Sequence, residues 1–60
     1  MNSPTPDKIK QARENACLTQ LEAAVVVHVN GRTWQRYESG ESAMPAAAWE
    51  LFLIKTKKRG

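Results

Sequence analysis

Residues 19–40 read TQLEAAVVVHVNGRTWQRYESG and contain the signals for two short helices joined by a tight turn. Thr19 and Glu22 form a capping box, since each side chain can bond a free backbone N–H at the start of a helix. The run Val25–Val27 is β-branched and favours a strand. A lone strand would have no partner in this chain, so we predict a helix that ends at about Val27.

The second helix of this stretch is predicted from Gly31 to Ser39. Asn30 is a favourable N-cap, and Gly40 suits the left-handed residue that ends a helix. His28 to Asn30 then form the connection. Within the second helix Trp34 and Tyr37 are predicted to point inward, and the outward side chains are those of Arg32, Thr33, Gln35 and Arg36.

Two further helices are predicted on either side. The first begins at Pro6 after the capping residue Thr5 and runs to about Asn15. Its apolar face consists of Ile9, Ala12 and Ala16. After a loop from Glu41 to Met44, the last helix begins at Pro45 and runs to about Lys55, followed by a basic tail over residues 56–60. The prediction is a single all-α domain of four helices, with five as the alternative.

The chain has 60 residues, which is enough for one small domain with a marginal core. Its single cysteine, Cys17, excludes an internal disulfide, and we expect it to be a small buried hydrophobe. A single histidine, His28, without a cysteine pair argues against a structural zinc site. We therefore expect a partner subunit to supply the missing stability. Trp49, Phe52 and Leu53 share one face of the last helix and are the predicted dimer interface. The alternative for Trp49 and Phe52 is that they complete the core of the monomer.

The net charge of +3 lies entirely in the second half of the chain. Residues 1–31 are balanced, whereas residues 32–60 carry the whole excess, which favours an anionic partner. No apolar run approaches the ~20 residues of a membrane span, and the polar start does not resemble a signal peptide. We expect a soluble, cytoplasmic protein. No catalytic constellation, cofactor motif or small-molecule site is evident, so an enzyme is not predicted.

The outward face of the second helix of residues 19–40 has the chemistry that DNA recognition needs. A helix fits the major groove, arginine can pair bidentately with guanine, and asparagine or glutamine can pair with adenine. Arg32 and Arg36 are one helical turn apart on the same face. Exposed arginines are also common on solvated helices, so the surrounding pattern decides the interpretation.

That pattern resembles the Cro/C1-type helix-turn-helix of phage repressors. The resemblance covers roughly residues 9–45 and rests on Leu18-Thr19-Gln20, Ala24, Val29-Asn30, Thr33, Tyr37-Glu38 and Gly40. The run Gly31–Glu38, followed by Met44-Pro45 and Trp49–Phe52, is similar to small phage regulators such as the anti-CRISPR-associated autorepressors. The family usually has glycine where this chain has His28, and Gly31 offers no side chain at a contact position.

The resemblance implies a fold of the lambda-repressor type and a role for each matching residue. Base contacts would come from Asn30, Gly31, Arg32 and Arg36. Contacts to the backbone, or to both backbone and bases, would come from Thr19, Gln20, Thr33 and Gln35. The implied function is a homodimeric repressor that binds a palindromic operator in double-stranded DNA and controls its own operon. The alternatives are an antitoxin-type regulator and an interaction module that has lost DNA binding.

Overall fold

A computed structural model describes residues 3–57 of the chain and confirms the all-α prediction. Within these residues there are four helices and no strand. The helices are α1 (Pro6–Asn15), α2 (Gln20–Val26), α3 (Gly31–Ser39) and α4 (Ala46–Lys57). The bounds of α1 and α3 agree with those predicted. Helix α2 ends one residue early, and α4 begins after Pro45 and runs two residues further than predicted.

The predicted capping residues begin the first three helices. The Thr5 hydroxyl oxygen accepts a hydrogen bond from the backbone N–H of Lys8 at 3.3 Å. At α2 the capping box is complete, with Thr19 accepting from the N–H of Glu22 at 3.1 Å and the Glu22 carboxylate accepting from that of Thr19 at 2.9 Å. Each side chain thus satisfies a backbone donor that the helix itself leaves free.

Left-handed residues end the same three helices. Cys17 and His28 both have φ of 62°, and Gly40 has φ of 88°. After α1 the N–H of Cys17 donates to Glu14 O and that of Leu18 to Arg13 O, which is a Schellman closure. The expectation that Cys17 is buried is wrong: Cys17 is exposed in the left-handed turn that follows α1.

The core forms around Trp34, which is fully buried together with Phe52, Ile9 and Met44. The rings of Trp34 and Phe52 lie 5.1 Å apart between centroids, and Tyr37 meets Trp34 edge-on at 6.2 Å. Trp34 and Tyr37 therefore point inward, as predicted. The placement of Phe52 in a dimer interface needs correction, because its side chain has no exposed surface and packs within one chain.

Helix α4 contacts the end of α2 and the turn that follows it. The Lys55 ammonium group donates to the carbonyl oxygen of Val26 at 3.1 Å and lies 3.3 Å from Nε2 of His28. Within α4 the Thr56 hydroxyl donates to Phe52 O, the carbonyl four residues earlier, at 2.8 Å. Residues 58–60 of the predicted basic tail lie outside the described residues.

Candidate nucleic-acid interface

The outer face of α3 brings three of the predicted contact residues together. Arg32, Gln35 and Arg36 are all exposed. With Ser39 and Glu41 they line a shallow depression of about 280 Å³. On the opposite side Trp34 and Tyr37 are buried and hold the helix against the core. The buried aromatic pair thus fixes which way the basic and amide side chains point.

Asn30 and Gly31, at the start of α3, also stabilise the fold. Asn30 Oδ1 accepts from the N–H of Thr33 at 2.8 Å, so this oxygen caps the helix. A bidentate pair with adenine would need both Oδ1 and Nδ2, and only the Nδ2 donors of Asn30 remain available. A Cβ at Gly31 would lie 3.2 Å from Leu21 Cδ1, so glycine is also favoured here by the packing of α2 on α3.

At the start of α2 the two predicted backbone-contacting residues are already bonded within the protein. Thr19 is exposed and its hydroxyl oxygen accepts from Glu22. The half-buried Gln20 donates from Nε2 to Glu38 Oε1 at 3.1 Å. An amide nitrogen carries two donors, so Gln20 retains one N–H beyond this bond.

A charged cluster, which the sequence did not reveal, lies behind this surface. The Glu38 carboxylate accepts from Arg13 Nε at 2.5 Å and Nη2 at 3.3 Å, from Trp34 Nε1 at 2.6 Å and from Gln20 Nε2 at 3.1 Å. Arg13 Nη1 also donates to Leu18 O at 3.0 Å. We call Arg13, Gln20, Trp34 and Glu38 the Glu38 cluster. It ties α1, α2 and the inner side of α3 together.

The electrostatics of the cluster favour the charged forms of both ionisable residues. The side chains of Arg13 and Glu38 are 14% and 7% exposed. Burial acts to raise the pKa of Glu38, but hydrogen bonds from Arg13, Trp34 and Gln20 outweigh it and lower that pKa. The hydrogen bond to Glu38 in turn raises the pKa of Arg13. The cluster is therefore an ion pair whose remaining acceptor sites are satisfied, which is the condition for stable burial.

The sequence indicates the contact of Glu38 with Trp34 but not its contact with Arg13. Trp34 and Glu38 are four residues apart and must be neighbours on a helix. Arg13 is on another helix, 25 positions before Glu38, and no local pattern links the two.

A second missed residue, Glu41, lies at the edge of the outer face of α3. Its Oε1 lies 3.4 Å from Nε of Arg36 in an exposed ion pair.

Within residues 3–57 no group of three histidine, cysteine or acidic side chains is arranged to hold a metal ion. None of the four helices combines the length and apolar character that crossing a bilayer requires.

The chain matches a family model and part of a larger known protein. A family model described as a helix-turn-helix domain matches residues 7–53. The chain is also 33% identical over 54 residues to the type II methyltransferase M.MspI of a Moraxella species. That alignment covers 90% of this chain but only 13% of the methyltransferase, so the likeness is confined to a short part of the larger protein.

Proposed function

The chain belongs to the helix-turn-helix domain family, and from this membership we propose that it is a DNA-binding regulator that represses transcription. The observation that carries the proposal is the exposed row of Arg32, Gln35 and Arg36 on α3. A helix held by buried aromatic residues presents these side chains outward, as entry into a major groove requires.

In the proposed complex the two arginines read bases. Arg32 and Arg36 would each pair with O6 and N7 of a guanine, one helical turn apart. Gln35 and Thr33 lie beside them and would contact bases or the sugar-phosphate backbone. Asn30 would donate from Nδ2 alone, because its oxygen caps α3. Gly31 would contribute close approach of the backbone rather than a side-chain contact.

Thr19 and Gln20 would contact the phosphates that flank the groove. Gln20 is well suited, because its bond to Glu38 holds the amide in place and leaves one N–H free. Such contacts set the position of the protein on the duplex and carry little sequence information.

We further propose that the regulator binds as a homodimer to an inverted repeat. A core of this size supplies roughly 3–5 kcal/mol, so a partner subunit would add needed stability. With Phe52 buried, the proposed interface consists of the half-buried Trp49 and of Leu53, which is 41% exposed. Leu53 and the exposed Ile54 border an apolar groove of about 550 Å³ between the ends of α1 and α4. A second copy of the chain is its proposed occupant.

The regulated gene is proposed to be the protein's own operon, in the manner of the small phage and anti-CRISPR-associated repressors that the sequence resembles. We propose a binding protein and not an enzyme. The methyltransferase relative does not alter this, because the match covers only 13% of its length.

The proposal is tested by titrating labelled duplex DNA from upstream of the gene with the protein, in the presence of excess unrelated duplex. We expect a complex that survives the competitor and weakens steeply as salt rises, since phosphate contacts release counterions. Equal affinity for the upstream and the unrelated duplex would reject sequence-specific recognition. No complex with either duplex would reject DNA binding altogether.

A further inference from the structure

At the end of α3 the carboxylate of Glu41 lies beside Arg36, one of the two arginines proposed to read bases. Gly40 is left-handed, and its N–H donates to Arg36 O at 3.1 Å. The Ser39 hydroxyl donates to the same carbonyl at 3.1 Å and accepts from the N–H of Glu41 at 3.3 Å. The N–H of Ser42 also donates to Arg36 O, at 3.3 Å. Glu41 thus has a backbone position set by the helix end.

The side chain of Glu41 turns back onto α3 from this position. Its Oε1 lies 3.4 Å from Arg36 Nε, and both side chains face the depression that Arg32 and Gln35 also line. The side chains of Arg36 and Glu41 are 53% and 70% exposed. An exposed pair of this kind contributes little to stability. Its effect therefore concerns the direction in which the guanidinium group of Arg36 points.

We infer that Glu41 is a specificity-determining residue that positions Arg36 for end-on recognition of guanine. This inference rests on the proposed function. A guanidinium group has five N–H donors in a rigid fork, and a carboxylate on Nε leaves the two terminal nitrogens on the far edge. Two parallel N–H groups on that edge match O6 and N7 of guanine.

The charge of Glu41 has a second effect, which does not depend on sequence. A carboxylate at the edge of the DNA-binding face repels phosphates, which lowers affinity for every sequence alike. This uniform loss leaves the ratio of operator to non-operator affinity unchanged, so the contribution of Glu41 to specificity comes from its position beside Arg36. Within residues 3–57 no corresponding ion pair is found for Arg32.

The test is selection of bound sequences from a randomised duplex library by the parent protein and by variants. The variants are Glu41→Ala, Glu41→Gln, Arg36→Ala and the double variant Arg36→Ala/Glu41→Ala. Glu50→Ala on α4 is the matched control, because it removes one exposed carboxylate elsewhere. Helix content of each variant is checked by circular dichroism. Affinity for the selected duplex and for an unrelated duplex is then measured.

We expect the parent to select a guanine that Arg36→Ala no longer selects. Glu41→Ala should weaken preference for that same guanine by about five- to tenfold, the low end of one bidentate base contact. Its affinity for unrelated DNA should be unchanged or higher. Glu41→Gln removes the charge of the ion pair and keeps the length of the side chain, so it should lose the preference much as Glu41→Ala does. Glu50→Ala should select as the parent does.

Three results would overturn the inference. If Glu41→Ala raised affinity for all duplexes equally and kept the guanine, the carboxylate would act by repulsion alone. Glu41→Ala could instead change the base that is selected at another position of the duplex. If it did so equally in the Arg36→Ala background, Glu41 would contact DNA itself. If Arg36→Ala selected as the parent does, Arg36 would not read a base. A parent protein that selects no sequence would instead reject the proposed function, and the inference with it.

Discussion

Arg13 Nε on α1 donates to Glu38 Oε2 on α3 at 2.5 Å, although the two residues are 25 positions apart in the chain. The pair lies directly behind the face of α3 that we propose reads DNA. Trp34 Nε1 donates to the same carboxylate oxygen at 2.6 Å. The orientation of the proposed reading helix therefore depends on a polar cluster as well as on apolar packing.

Glu38→Ala should unfold the domain or leave it barely stable. Removing one partner of a buried ion pair costs about 3–5 kcal/mol, as much as a core of this size usually supplies. Urea unfolding followed by circular dichroism measures the change. Glu14→Ala is the control, because Glu14 is exposed and lies 4.0 Å from the Arg13 side chain. It should change stability by no more than about 0.5 kcal/mol. A parent-like Glu38→Ala would show that the cluster contributes nothing.

The Glu38 cluster should also make the domain sensitive to acid. The pKa of Glu38 is lowered in the folded protein, so its contribution to stability is complete above the ordinary carboxyl range of about 4.3. The contribution is lost as the pH falls through the lowered folded pKa. Thermal melts between neutral and strongly acidic pH should show this loss. Glu38→Gln, which cannot titrate, should lose less stability over the same interval. If the stability of the parent and of Glu38→Gln fell equally with pH, Glu38 would not be the group responsible for the acid sensitivity.

Cys17→Gly should stabilise the domain by up to about 1 kcal/mol. A left-handed residue with a Cβ is strained by roughly 1–2 kcal/mol, and glycine relieves this strain at some cost in chain entropy. Cys17 has φ of 62° and an exposed side chain, so little packing is lost. Cys17→Ala keeps the Cβ and should give no such gain. The comparison uses thermal or urea unfolding, and an equal response of the two variants would rule out backbone strain.

Arg32→Ala and Arg36→Ala should each weaken binding to the preferred duplex by about 1–3 kcal/mol. The loss for unrelated DNA should be smaller, because a base contact is made only with the right sequence. Gln20→Ala should instead weaken binding to all duplexes similarly, as expected for a phosphate contact. Fluorescence anisotropy at one fixed salt concentration measures the affinities. Parent-like binding by both arginine variants would show that α3 reads bases through other residues.

Leu53→Lys should separate the proposed dimer without unfolding the chain. Leu53 is 41% exposed, so the substitution places a charge in the proposed interface while the core stays intact. Sedimentation at micromolar concentration should show a dimer for the parent and a monomer for the variant. Val25→Lys on α2 is the control, because Val25 is also exposed and lies outside the proposed interface. A monomeric parent, with and without operator DNA, would reject the homodimer.

The helices and their faces follow from the sequence because their causes are local. The capping residues Thr5, Thr19 and Asn30 satisfy donors within the next few residues, and the apolar spacing repeats within single helices. The inward direction of Trp34 and the outward direction of Arg32 and Arg36 follow from the same periodicity.

Other features depend on contacts between parts of the chain that no local pattern connects. Arg13 meets Glu38 only when α1 packs against α3, and Phe52 is buried because the core closes over it. Cys17 is exposed in a left-handed turn, although its residue type favours burial. The sequence alone thus determined the helices and the row of arginines on α3. Only the tertiary structure decided which carboxylates lie beside Arg13 and Arg36, because such pairing depends on distances in the folded chain.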